Sequence, residues 1–199
     1  ALACINSENT RQVIYELDPR TFDIVGTYKF RDANVLAHMN TLTYNPDTNL
    51  LYTTNAMIDG HRITTIDADT MSIGNTITIS ERVFNLAYDK KTNQFMSIVP
   101  IDATMRRINY YTSQFQLVQS KDIDANYDDY NNNGAFANDG KTIFATLSTV
   151  ITVDKTGNVT KIASFPKNLE IEDMDMRHNI MYAAVNMNHK VFIYTMLNY

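Results

Sequence analysis

The sequence has little cysteine, tryptophan or glycine, and each shortage excludes or weakens a class of site. Cys4 is the single cysteine among 199 residues, so no disulfide can form within the chain and no thiolate metal site is available. Tryptophan, the strongest stacking platform for a sugar ring, is absent. With only six glycines, the chain has no glycine-rich phosphate loop.

Long apolar runs and blocks of basic residues are missing as well. No segment approaches the roughly 18 apolar residues of a membrane span. The formal net charge is −5 with both signs intermingled, so neither nucleic acid nor membrane insertion is expected. The chain begins with ALACIN, without an initiator methionine or a secretory signal, and we expect it to be a fragment of a longer chain.

A hairpin-like segment recurs along the chain. In each copy an apolar or aromatic residue leads into a turn of Asn, Asp, Gly or Lys, and an apolar residue leads out of it. The copies are LTYNPDTNLLYTT at 42–54, LAYDKKTNQFMSI at 86–98, GAFANDGKTIFAT at 134–146 and the shorter MDMRHNIMYAAV at 174–185. The first two copies are 44 residues apart and the next pair 48, which indicates a structural repeat.

A second hairpin type alternates with the first. It occupies 15–30, 64–79, 109–123 and 151–165, each a β-branched or aromatic run followed by a turn and a second alternating run. In three of the four copies the turn begins with an aspartate, namely Asp18, Asp67 and Asp154. Together the two hairpins give about four strands per repeat.

Four short strands every 40 to 50 residues are typical of a propeller blade, and no helical periodicity extends over ten or more residues. We therefore predict an all-β fold, a single β-propeller domain of about five four-stranded antiparallel blades. The predicted blades span approximately 1–30, 35–79, 81–123, 125–165 and 169–199. The first lacks an inner strand and the last an outer strand, so closure is imperfect or is completed by residues outside this chain. A β-sandwich or another antiparallel array is the alternative.

The segments YNPDTNLLYTTN and LDPRTFDIVGTYKF resemble the repeats of YVTN/NHL-like and lactonase-like β-propellers. The resemblance covers nearly the whole chain, and it implies the fold far better than the activity. An Asn- and Tyr-rich, Trp-free propeller of this size is also similar to the receptor-binding heads of phage tail proteins, which engage wall teichoic acid. That resemblance implies an extracellular or virion-associated protein.

Alignment of the predicted inner strands places four polar residues at equivalent positions. Thr41, Asn85, Asn133 and Asp173 are expected to form a ring at the mouth of the central channel, with Glu172 beside it. Carboxylate and amide oxygens on one axis could hold Ca²⁺, and metal-dependent lactonase-like propellers are similar in this respect. The alternative is that these side chains satisfy one another and water, with no cofactor.

The segment DIDANYDDYNNNG at 122–134 combines carboxylates, amides and tyrosines. Its Asp122, Asp124, Asn126 and Asp128 are spaced like the first ligands of an EF-hand loop, but Tyr127 replaces the required glycine and Asn133 the required glutamate. An intact calcium loop is therefore not expected. Tyr127 and Tyr130, beside Asn126 and Asn132, are a mixture that suits sugars, with packing between blades as the alternative.

Three further side chains lie in loops expected on the same face of the propeller, and we predict them as ligand-binding residues: His38, His61 and Arg82. No histidine pair has metal-ligand spacing and no Ser or Cys lies in a nucleophile elbow, so no catalytic residue is assigned.

The leading hypothesis is a non-catalytic module that binds a carbohydrate or a cell-surface polymer through this loop face. A metal-dependent lactonase-type hydrolase is one alternative. A protein-interaction scaffold is another, with protein partners or a homo-oligomer in a larger assembly.

Overall fold

The computed structural model describes residues 2–8, 11–30, 36, 39–55, 60–124, 132–138, 141–146, 148–154, 156–166, 168–177, 180–188 and 190–197. The described residues form eighteen strands. These are β1 (Leu2–Glu8), β2 (Arg11–Leu17), β3 (Ile24–Phe30), β4 (Thr43–Asn45), β5 (Leu50–Thr54), β6 (Arg62–Asp67), β7 (Ile73–Thr78), β8 (Ala87–Asp89), β9 (Gln94–Pro100), β10 (Met105–Thr112), β11 (Leu117–Asp124), β12 (Asn132–Asn138), β13 (Lys141–Thr146), β14 (Thr149–Asp154), β15 (Val159–Ser164), β16 (Glu170–Arg177), β17 (Ile180–Met187) and β18 (Lys190–Leu197).

The strands pair in chain order into five antiparallel sheets. Blades 2, 3 and 4 have four strands each, β4–β7, β8–β11 and β12–β15, whereas blade 1 (β1–β3) and blade 5 (β16–β18) have three. The first strands of blades 2 to 5 are neighbours, with β4 beside β8, β8 beside β12 and β12 beside β16. The predicted all-β propeller of about five blades, with an incomplete first and last blade, is thereby confirmed.

The turns show why these residues form hairpins. The carboxylate of Asp67 accepts hydrogen bonds from the backbone N–H groups of Asp69 (3.1 Å) and Thr70 (2.7 Å), which closes the turn between β6 and β7. The chain then passes through a left-handed residue, Met71, at φ 54°. Asp18 and Asp154 bind the turns that follow them in the same way.

Blade 3 lacks that aspartate, and Thr112 takes its place. The Thr112 hydroxyl accepts from the backbone N–H groups of Gln114 and Gln116, both at 3.2 Å, and Phe115 adopts the left-handed conformation at φ 61°. The backbone path of this turn is thus maintained with a weaker acceptor.

The core consists of apolar clusters between successive blades. Blades 1 and 2 enclose Ile14, Leu36 and Ile66; blades 2 and 3 enclose Tyr52, Phe95 and Tyr111; blades 3 and 4 enclose Ile108 and Ile151; and blades 4 and 5 enclose Ile171 and Met181. Since one sheet cannot cover both of its own faces, each blade depends on its neighbours for burial. Within the described residues, no helix has both the length and the apolar character that crossing a membrane requires.

Candidate functional site

Asp173 on β16 joins blade 5 to blade 2 at the hub. One carboxylate oxygen, Oδ2, accepts hydrogen bonds from the Leu42 backbone N–H (3.1 Å) and the Thr41 hydroxyl (3.3 Å). The other, Oδ1, accepts from the Met174 N–H at 2.9 Å. Burial raises the pKa of Asp173 to about 7, although the hydrogen bonds from Leu42 and Met174 act in the opposite direction.

Asn85 is fully buried and extends the ladder between β8 and β9. Its Oδ1 accepts from the Ile98 backbone N–H at 2.9 Å, and its Nδ2 donates to the Ile98 carbonyl at 3.1 Å. The side-chain amide therefore bonds to the β9 backbone much as a strand residue would, a structural role that accounts for both amide atoms.

The last ring residue, Asn133, and the neighbouring candidate, Glu172, lie at irregularities in the inner strands. Asn133 falls at the register shift between Asn132 and Gly134 in β12, and Glu172 at the shift between Ile171 and Asp173 in β16. Burial, followed by the negative charge of Glu170, raises the pKa of the half-buried Glu172.

The structure thus brings Thr41 and Asp173 together, whereas the amide of Asn85 pairs with β9. Across the described part of the chain, no three His, Cys, Asp or Glu side chains come close enough to share a metal ion. Ca²⁺ prefers six to eight oxygen ligands, and the oxygens of Asp173 and Asn85 already accept backbone hydrogen bonds. The calcium ring remains a prediction without added support from this geometry.

The acidic segment 122–134 is only partly a connection between blades. Strand β11 extends to Asp124 and β12 begins at Asn132. Asp122 lies on β11, where Arg107 donates from Nε (2.6 Å) and Nη2 (2.9 Å) to its two oxygens. Both oxygens of the Asp122 carboxylate are therefore paired with a neighbouring strand of the same sheet.

Several predicted ligand-binding residues lie outside the described residues: Asn126, Tyr127, Tyr130 and His38. Asn132 contributes its backbone to β12. His61 is half-buried, and its carbonyl accepts a hydrogen bond from Ile79 N–H at 2.9 Å. Arg82 is exposed in the segment that connects blades 2 and 3, and it borders a cleft.

The connection from blade 2 to blade 3 is fixed by hydrogen bonds from blade 2. The Phe84 carbonyl accepts from Asn40 Nδ2 (2.7 Å) and Thr54 Oγ1 (3.1 Å), and Val83 N–H donates to the Gly60 carbonyl (2.6 Å). Gly60 has φ +68°, and a Cβ there would lie 3.4 Å from Arg82 Nε. The backbone of this connection is therefore fixed in one conformation by its hydrogen bonds.

Arg82 and Phe84 form one wall of the cleft. The Arg82 guanidinium carbon lies 4.8 Å from the centroid of the Phe84 ring, which is a cation–π stack. The cleft has a volume of about 370 Å³, within the range of small-ligand sites, and Val99, Pro100 and Leu117 supply apolar surface around it. The sequence analysis did not identify the half-buried Phe84 as a site residue. Its aromatic side chain in a short connection between blades was the feature that could have indicated it.

Polar groups border the same cleft. The Glu81 carboxylate accepts from the Ser80 hydroxyl at 2.6 Å, and Ser120 donates to Asn109 Oδ1 at 2.8 Å. Tyr111, two residues beyond Asn109 on β10, is fully buried, and within the described residues its hydroxyl has no hydrogen-bond partner. Burial, and then the Glu81 charge, raises the pKa of the Tyr111 phenol, so that hydroxyl remains neutral.

Comparison with known proteins supports the fold alone. Neither a protein-family model nor a curated protein matches the chain. The structure is similar to one from a nidogen/laminin complex, with TM-score 0.64 and 12% identity over 96% of this chain and 73% of that one. It is similar to luciferin-regenerating enzyme, with TM-score 0.60 and 10% identity over 95% and 71% of the two chains. For Kuenenia stuttgartiensis hydrazine synthase the TM-score is 0.54 and the identity 13%, over 94% and 71%.

These neighbours are β-propeller proteins, which confirms the propeller part of the predicted resemblance. At such low identity they carry no information about ligand or activity. The likeness to YVTN-type repeats and to phage tail proteins remains a prediction.

Proposed function

We propose that this protein is a non-catalytic binding module that recognises a carbohydrate or a cell-surface polymer through the loop face of the propeller. The observation that carries the proposal is the cleft beside Arg82 and Phe84, in which a guanidinium–aromatic stack stands among apolar and hydrogen-bonding groups. A sugar has the same division into an apolar C–H face and a rim of hydroxyl groups.

The residues that line the cleft would make different kinds of contact with the ligand. The planar Arg82 guanidinium offers several N–H donors to ligand oxygens, and the Glu81 carboxylate accepts from ligand hydroxyls. Val99, Pro100 and Leu117 contact the apolar face of a sugar unit. Because the backbone of residues 83 and 84 is hydrogen-bonded to blade 2, little ordering is needed on binding.

The segment 125–131 is predicted from the sequence to lie on the loop face, and its Tyr127 and Tyr130 remain proposed contacts for further units of an extended ligand. Binding by several adjacent subsites would give a polymer higher affinity than its monomer.

Glycan arrays and purified cell-wall polymers test the proposal. We expect binding by the unaltered chain, and a loss of about tenfold or more in Phe84→Ala and Arg82→Ala, since stacked aromatic and arginine anchors carry much of the energy of such sites. Tyr44→Ala is the matched control, because Tyr44 is an aromatic that is 47% exposed and does not line the cleft.

The alternatives give different outcomes. If binding depends on Tyr127 or Tyr130 but not on Phe84, the ligand is bound through the segment 125–131 and not through the cleft. Binding that none of these substitutions affects contradicts the proposal. One divalent ion per chain in native mass spectrometry, lost in Asp173→Ala, favours a metal-dependent hydrolase. The third alternative, a protein-interaction scaffold, predicts a chain that binds neither ions nor glycans.

A further inference from the structure

The floor of the proposed ligand cleft is one face of the blade 3 sheet. Arg107 and Asn109 are two residues apart on β10, so their side chains lie on the same face. In the strand register, Arg107 is opposite Val99 of β9, and Asn109 is opposite Ser120 of β11. All four residues line the cleft, which therefore has a sheet as its floor and the connection from blade 2 as its wall.

Arg107 brings a second guanidinium to this cleft. Its Nε and Nη2 donate to the two oxygens of Asp122, at 2.6 and 2.9 Å, so the planar group is held in one orientation. A guanidinium has five N–H donors, and Asp122 accepts from only part of them. Among the described residues, none accepts from Nη1, and the Arg107 side chain is 46% exposed. The remaining donors are therefore available to a ligand.

Donors exceed acceptors on the lining of the cleft. Arg82 is stacked on Phe84 and, within the described part of the chain, forms no ion pair. Of the described carboxylates, Glu81 alone lines the cleft, since Asp122 lies behind Arg107 and balances its charge. A sugar hydroxyl both donates and accepts, whereas a carboxylate, a sulfate or a phosphate accepts only. The surplus of donors therefore suits an anionic group.

We propose that the cleft selects a sugar unit that carries an anionic group, namely a carboxylate, a sulfate or a phosphate. Arg107 donates to this group from the floor of the cleft and Arg82 from the wall, and Asp122 is the positioning residue for Arg107. The cleft, at about 370 Å³, is near the lower end of the range for small-ligand sites, so one sugar unit reaches both arginines. This inference rests on the proposed function and narrows its ligand to acidic glycans.

The overall charge of the chain makes the proposal specific to this cleft. The formal net charge is −5, so the molecule as a whole repels polyanions. A preference for acidic glycans must therefore come from a local set of donors, and substitution of those donors should remove it.

A glycan array of matched pairs tests the proposal. The pairs are polygalacturonate with its methyl ester, dextran sulfate with dextran, and phosphomannan with mannan, so that carboxylate, sulfate and phosphate are distinguished from one another. In at least one pair we expect the unaltered chain to bind the acidic member about tenfold or more tightly, because hydrogen bonds to a charged group are the stronger ones.

Substitution of Arg107 should remove this preference. In Arg107→Gln we expect the acidic member to bind about tenfold more weakly and the neutral member to bind as before. Arg20→Gln is the matched control, because Arg20 is an exposed arginine of blade 1 that does not line the cleft, and it should keep the preference. The Arg107–Asp122 pair is largely exposed and contributes little to stability, so the variants should fold.

Asp122→Asn tests the positioning role separately. The amide oxygen can accept one N–H of Arg107, but the two-bond pair is lost, and we expect the preference for the acidic member to fall severalfold. If Asp122 had no positioning role, removing its negative charge would instead strengthen the binding of the acidic member.

Failure of this inference differs from failure of the proposed function. Phe84-dependent binding with no preference for the acidic member in any pair would overturn the inference and leave the proposed function intact. A preference that Arg107→Gln retains in full would overturn the role of this cleft in selecting the anion. A chain that binds no glycan on the array would contradict both.

Discussion

Two junctions between blades are packed with different types of side chain. Between blades 2 and 3, which we call the aromatic junction, the Phe95 ring lies 4.8 Å from Tyr52, 4.9 Å from Tyr88 and 4.5 Å from Phe115, centroid to centroid. Between blades 4 and 5, which we call the methionine junction, Met174 and Met181 pack with aliphatic side chains.

The aromatic junction is expected to be stiffer than the methionine junction. Aromatic rings have few rotatable bonds and specific pair geometries, whereas methionine adapts its shape to a gap. The Arg82–Phe84 cleft lies beside the aromatic junction, so its wall rests on the more rigid of the two. The hub contact of Asp173 belongs to β16, which contributes Met174 to the methionine junction.

The largest expected effect is on the aromatic junction. Phe95→Ala removes a fully buried ring that contacts three others, and we expect a loss of about 3–5 kcal/mol in the free energy of unfolding. Urea denaturation measures it. A loss below ~1 kcal/mol would mean that the rings do not pack as described.

A pH-dependent effect is expected at the contact between Asp173 of blade 5 and the segment that leads into blade 2. The carboxyl pKa of Asp173 rises from an unfolded value near 3.8 to about 7, so the folded state binds more protons between these values. Stability should therefore fall as pH rises from about 4 to 7, by an amount on the order of a few kcal/mol.

Asp173→Asn provides the control for this pH effect. The amide cannot titrate, so its stability profile should be flatter between about pH 4 and 7, although one N–H contact of the carboxylate is lost. The phenol of Tyr88 at the aromatic junction, whose pKa burial raises to about 12, stays neutral in this range. Equal slopes for Asp173→Asn and the unaltered chain would contradict the assignment.

A smaller loss in the free energy of unfolding should distinguish the methionine junction from the aromatic junction. Met181→Leu should cost less than about 1.5 kcal/mol, because the side chains have similar volume and the methionine junction can adjust. Phe95→Leu should cost more, since it also removes three ring contacts. Equal losses in urea denaturation would remove the distinction between the junctions.

The smallest expected change in the free energy of unfolding comes from removing the Ser97 hydroxyl on β9. Ser97 is fully buried, and within the described residues its hydroxyl has no hydrogen-bond partner. Ser97→Ala should therefore be neutral or slightly stabilising, within about 1 kcal/mol. A larger destabilisation would show that the hydroxyl is bonded.

Local chemistry made the fold predictable. Asp67 sets a turn with its own neighbours. The β-branched run before it forms β6, in which Ile63 to Ile66 are all buried. The positive φ of Met71 and Phe115 carries no such signal, because the surrounding hairpin imposes it on non-glycine residues.

The site was less predictable, since it depends on contacts between distant segments. Arg82 was identified from its position in a connecting loop, but its stack on Phe84 required the backbone path held by Asn40 and Thr54. The pairing of Asp122 with Arg107 could not be predicted either, because the two residues lie on different strands. Asn85 has the sequence character of a ligand, yet the adjacent β9 backbone uses both of its amide atoms.

Nuclear magnetic resonance titration of the labelled chain with fragments of the bound polymer shows which residues contact the ligand. The account predicts that the backbone shifts of Glu81, Arg82 and Phe84 change together and saturate with one affinity, while those of β18 do not move. Saturable shifts confined to residues distant from this cleft and from 125–131 would contradict it.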